Sequence, residues 1–152
     1  MTGLEIEYYS DSYRQEHWLE KIGSCGWAGG EFLAKILQKD TFFETVGEGS
    51  MLLLLTDGDE LVSFCTYAVV DEIQPTEMTP WMGFVFTFPK FRGRRCLTFL
   101  FDEIGRLLRS EGRDRIYIST DHTGLYEKYG CEFLYEQKCI YGSMSRIYVK
   151  NY

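Results

Sequence analysis

The segment from Phe84 to Leu100, FVFTFPKFRGRRCLTFL, constrains this chain most: an apolar strand stops at Pro89, an Arg-Gly turn follows, and an apolar helix begins. A strand that feeds a glycine turn into a helix N-terminus leaves several backbone N–H groups unpaired at the positive end of the helix dipole. A phosphate is favoured there. Arg92, Arg94 and Arg95 add charge to the same turn. The helix is predicted from Cys96 to Arg109, because Leu97, Leu100, Phe101, Ile104, Leu107 and Leu108 recur on one face, and Gly112 is its stop.

The rest of the chain arranges itself around this segment. Leu4 to Tyr9 alternates like a half-buried strand, and Ser12 to Ser24 carries Tyr13, His17, Trp18 and Ile22 at roughly helical spacing. A second helix carries Phe32, Leu33, Ile36 and Leu37 before the break at Gly47 and Gly49. Ser50 to Thr56 and Leu61 to Val70 flank Asp57-Gly58-Asp59, which predicts a hairpin. Asp71 to Pro80 reads as a loop and Trp81 to Phe88 as the third strand of the meander. Beyond the central helix come a strand at RIYIST, a short helix from Gly124 to Tyr129, and strands from Cys131 to Ile140 and Arg146 to Val149.

Composition excludes several classes. With 152 residues, 45% of them hydrophobic, the chain buries one substantial core, which predicts one domain over 1–152. A net charge of −7 argues against a nucleic-acid or membrane-surface binder, and three arginines in one turn cannot supply the phosphate contacts that non-specific nucleic-acid affinity needs. The first residues lack the basic and apolar regions of a signal or transit peptide. Five scattered cysteines with no CxxC pair favour reduced thiols and a cytoplasmic location. His17 and His122 lie far apart and near no cysteine at ligand spacing, so no metal is expected.

A three-stranded meander, a proline, an RG turn, a helix, a strand and then Leu125-Tyr126-Glu127-Lys128-Tyr129-Gly130 resembles the GCN5-related N-acetyltransferase (GNAT) family over nearly the whole chain. Val85 to Gly93 is similar to that family's acetyl-CoA strand and the start of its pyrophosphate loop, and Gly124 to Phe133 to its second cofactor motif. The resemblance implies an α/β (α+β) fold: a mixed, mostly antiparallel twisted sheet of about seven strands, flanked by about four helices and splayed between strands four and five. One departure stands out. From Arg92, the family pattern of Arg or Gln, two residues, Gly, one residue, then Gly or Ala meets Arg95 and Leu97 at its last two defined positions. Both add bulk where glycine lets a phosphate approach the backbone. Arg95 could instead aim its guanidinium at the pyrophosphate.

The resemblance implies direct acetyl transfer from acetyl-CoA to a primary amine of a small-molecule or peptide-type acceptor, and the acidic chain favours a cationic one. It puts the backbone of Val85, Phe86 and Thr87 on the pantetheine arm, and Arg92, Gly93, Arg94, Arg95, Cys96, Leu97 and Thr98 around the diphosphate. Tyr126 matches the motif tyrosine that protonates the leaving thiolate, with Tyr129 its decoy. His122 is a candidate base, since imidazole titrates near neutral pH, although Asp121 beside it serves equally as a helix cap. Glu72 and Glu77 remain alternatives. Cys96, at a helix N-terminus among arginines, is expected to have a lowered thiol pKa, but the family transfers directly. The family also commonly dimerises through its C-terminal strands, so a homodimer stays open. A rival reading is a non-catalytic protein of the same fold that binds an acyl-CoA or nucleotide-like ligand as a sensor or partner module.

Overall fold

The four leucines from Leu52 to Leu55 have no polar alternation, which a strand tolerates when both of its faces are covered. The computed structural model, which describes residues 3–152, covers both. Its elements are β1 (Leu4–Tyr8), α1 (Gln15–Gly23), α2 (Ala28–Gln38), α3 (Phe42–Val46), β2 (Met51–Asp57), β3 (Glu60–Ala68), β4 (Trp81–Thr87), α4 (Leu97–Ser110), β5 (Arg115–Thr120), β6 (Glu132–Lys138) and β7 (Met144–Asn151). The strands form one sheet in the order β1-β2-β3-β4-β5-β7-β6. Leu53 and Leu55 pack with Leu100 and Ile104 of α4 on one face, while Leu52 and Leu54 pack with Trp18, Ile22 and Leu33 of α1 and α2 on the other. Among the described residues no helix is long and apolar enough to cross a membrane, and the five cysteines are free thiols.

Helix α4 follows its sequence stripe, burying Leu97, Leu100, Phe101, Ile104, Leu107 and Leu108. It stops where Gly112 takes φ +69° and the Arg113 N–H reaches the Leu108 carbonyl at 2.8 Å, a glycine-closed C-terminus. Helix α1 begins at Gln15 rather than Ser12, because the Ser12 hydroxyl accepts the Arg14 N–H at 3.0 Å and donates to Glu7. Residues 124–129 tighten into a single 3-10 turn over Tyr126–Tyr129, and the short α3 is an element that no sequence periodicity announces.

Neighbouring strands run antiparallel except β4 and β5, which are parallel and meet in register only at Trp81 opposite Tyr117. The Tyr117 N–H reaches the Pro80 carbonyl at 3.0 Å, and past that point the strands part. Against β3, Phe86 faces Phe64 but Gly83 faces Thr66, so three steps on β4 match two on β3. This is a bulge, and Phe84 within it takes φ +47°.

Ile104 is fully buried between α4 and the sheet. Ile104→Ala should lower the unfolding free energy by about 2–5 kcal/mol, read as a lower urea midpoint with unchanged slope.

Candidate functional site

Where β4 and β5 part, a cleft of about 1070 Å³ opens, walled by β4, the loop into α4, the end of β5 with the turn after it, the start of α2, and residues 71–74. The pleat decides which β4 groups face it. The Phe88 N–H donates to Val62 at 3.0 Å, and the Phe86 carbonyl accepts the Ser63 hydroxyl at 2.7 Å, both toward β3. Alternation then turns the backbone groups of Val85 and Thr87 toward the gap. Phe86 therefore offers its ring rather than its carbonyl, stacked on Trp27 with centroids 5.7 Å apart and planes 8° apart. The Arg92 guanidinium lies 5.2 Å over that ring and donates to the Thr87 carbonyl at 2.9 Å.

In the loop, Gly93 takes φ +79° with open space around its Cα, and the N–H groups of Gly93, Arg94, Arg95 and Cys96 find no hydrogen-bond partner among the described residues. Four free donors before a fourteen-residue helix suit a diphosphate. Arg95 takes φ +53° at a position where the resemblance expects glycine. Its guanidinium is tied to the Lys128 carbonyl at 2.5 Å and lies 5.2 Å over the Tyr129 ring, so it is held by the turn after β5 instead of being aimed at a phosphate. Arg94 and Thr98 lie outside the cleft lining, whereas Cys96 and Leu97 lie within it. Burial pushes the Cys96 thiol up despite the opposing pull of Arg94, the reverse of the lowering its place among arginines suggests. Its thiol contacts the Phe91 carbonyl at 3.6 Å.

Tyr126 also lines the cleft, almost fully buried, and its hydroxyl takes no hydrogen-bond partner among the described residues. Burial above all, with Cys65, Cys131 and Asp71 nearby, pushes its phenol well above the ordinary value, so it carries its proton at neutral pH. Tyr129 sits beneath Arg95 at the start of α4. His122 lines the cleft but is exposed, its backbone N–H bound by the Thr120 hydroxyl at 3.1 Å. Glu77 lies outside the lining; Glu72 lies within it and accepts the hydroxyls of Ser119 at 2.7 Å and Ser145 at 2.9 Å.

One residue escaped the sequence reading. Asp71 lines the cleft with its carboxyl pressed against Gly83, and burial, joined by the neighbouring charge of Glu72 and opposed by a backbone hydrogen bond at Glu72, raises its pKa to about 7. The usable signal was Gly83, a glycine inside a bulky strand, which marks close approach of another group.

No protein-family model and no curated protein sequence matches the chain. Solved structures do. An acetyltransferase from Streptococcus agalactiae matches all of both chains with a TM-score of 0.66 and 22% identity. A GNAT family acetyltransferase from Elizabethkingia anophelis with acetyl-CoA bound matches all of both chains with a TM-score of 0.65 and 12% identity. An aminoglycoside 6'-N-acetyltransferase complexed with coenzyme A matches over 97% of this chain and 96% of its own, with a TM-score of 0.66 and 15% identity. The chain has the GNAT fold.

Because Gly93 holds a left-handed backbone, Gly93→Ala should cost about 1–2 kcal/mol in urea unfolding, while Arg94→Ala should stay within about 0.5 kcal/mol of the wild type.

Proposed function

We propose that the chain is an acetyl-CoA-dependent N-acetyltransferase that passes the acetyl group directly to a primary amine of a small-molecule or peptide-type acceptor, in the cytoplasm. One observation carries the reading: one cleft brings together N–H donors without partners among the described residues, β4 backbone that β5 leaves unmatched, and a protonated tyrosine. The solved structures of the same fold that hold coenzyme A or acetyl-CoA support it.

The residues present fit this acyl donor. The N–H groups from Gly93 to Cys96 would hold the diphosphate, and the backbone of Val85 and Thr87 would pair with the pantetheine arm, one N–H facing the acyl oxygen as charge develops. Acetyl-CoA supplies the activated acyl group as a thioester. Tyr126 donates its proton to the departing sulfur, and its raised pKa keeps that proton in place at neutral pH until the thiolate forms. Trp27 and Phe86 pack the acceptor side, and the net charge of −7 favours a cationic acceptor.

Two variants separate binding from chemistry. Tyr126→Phe should lower kcat at least about 10²-fold in an assay of free CoA release while leaving acetyl-CoA affinity intact. Arg92→Ala, which loses a charged hydrogen bond to the cofactor strand, should weaken acetyl-CoA binding about tenfold or more by calorimetry. Absence of any acetyl-CoA binding by the wild type would contradict the reading.

A further inference from the structure

Two oxygens close on Gly83, which lines the cleft beside Asp71. Gly83 has no side chain, and a Cβ there would lie 2.2 Å from Asp71 Oδ1 and 3.0 Å from Thr66 Oγ1. Asp71 therefore reaches β4 only because position 83 is glycine. Thr66, opposite Gly83 on β3, is fully buried, and its hydroxyl has no hydrogen-bond partner among the described residues. Leaving such a group unpaired costs about 1–3 kcal/mol.

The surroundings define what would arrive. Glu72 adds a second carboxylate, fixed by Ser119 and Ser145. In the same cleft, Phe32 stacks on Phe84 with centroids 6.2 Å apart and planes 13° apart, beside the Trp27 and Phe86 pair. Carboxylates and aromatic faces together favour a cation with an apolar body.

We infer that Asp71, seated on Gly83, receives the primary ammonium group of an alkylamine acceptor and takes a proton from it. The inference rests on the acetyl-transfer reading and adds the base and the acceptor class. An N–H bond of the ammonium breaks, and its proton passes to Asp71 Oδ. The freed lone pair forms the bond to the acyl carbon as the C–S bond breaks with its electrons on sulfur. Tyr126 protonates that sulfur and regains a proton from the nitrogen, which carries one in excess. Asp71 later releases its proton to solvent.

The titratable groups bearing on Asp71 are Glu72 beside it, Tyr126 from the turn after β5, and Tyr141 from the β6–β7 connection. Burial foremost, and the Glu72 charge, hold the Asp71 carboxyl near 7 against a backbone hydrogen bond, so it both accepts and releases a proton at neutral pH. His122, exposed and without a buried partner, lacks that environment.

The test titrates 2-phenylethylamine and n-hexylamine into the whole protein near pH 7, in two buffers of different ionisation heat. Wild type should bind with net proton release, because an ammonium seated on Asp71 displaces the proton its raised carboxyl holds. Asp71→Asn and Gly83→Ala should bind about tenfold more weakly, and Asp71→Asn should release none. In turnover, the acidic limb of kcat/KM should vanish in Asp71→Asn and persist in Glu72→Gln. No binding of either amine to wild type, or an Asp71→Asn protein that keeps the proton release and the acidic limb, overturns the inference. Amine binding with Asp71-linked proton release but no CoA production would overturn the acetyl-transfer reading and leave the ammonium seat standing. Turnover whose pH profile ignores Asp71 would do the opposite.

Discussion

Everything functional in this chain depends on how briefly β4 and β5 touch. They share one register pair, Trp81 with Tyr117, whose rings pack with centroids 5.6 Å apart, and the Tyr117 N–H reaches the Pro80 carbonyl. Beyond it the β4 bulge, with Phe84 at φ +47°, re-aims the strand. Backbone groups that would have closed a parallel ladder are left facing a cleft. Unpaired backbone inside a protein is costly, so an extended polar ligand lying along it has partners waiting.

The charges are segregated along that cleft. The chain is acidic overall, yet Arg92, Arg94 and Arg95 cluster before α4, beside the free N–H groups. Asp71 and Glu72 hold the opposite sign elsewhere in the same cleft. Arg92 and Arg95 are both committed to carbonyls, those of Thr87 and Lys128. The free backbone donors are therefore the groups this loop leaves open to an anion, with the guanidinium groups shaping the loop around them.

What could be read in the sequence was what local periodicity encodes. The α4 stripe, the β2–β3 hairpin and the limits of β5 follow from side-chain spacing alone, and the chain order of motifs pointed to the fold. Other features were illegible for physical reasons. Phe84 and Arg95 hold positive φ, which neither residue type advertises. Arg95 finds its partner in the Lys128 carbonyl, thirty-three residues on, a contact fixed by tertiary packing. The five-residue α3 is too short to display a period. Asp71 lay in a segment read as loop, and its meaning emerges only once Gly83 is opposite it.

A crystal structure of the protein with coenzyme A bound tests the central claim most directly. The account predicts the diphosphate on the N–H groups of Gly93 to Cys96, the pantetheine arm paired with the backbone of Val85 and Thr87, and the sulfur beside the Tyr126 hydroxyl. A β4–β5 ladder closed along its length, with coenzyme A lying anywhere else, would contradict it.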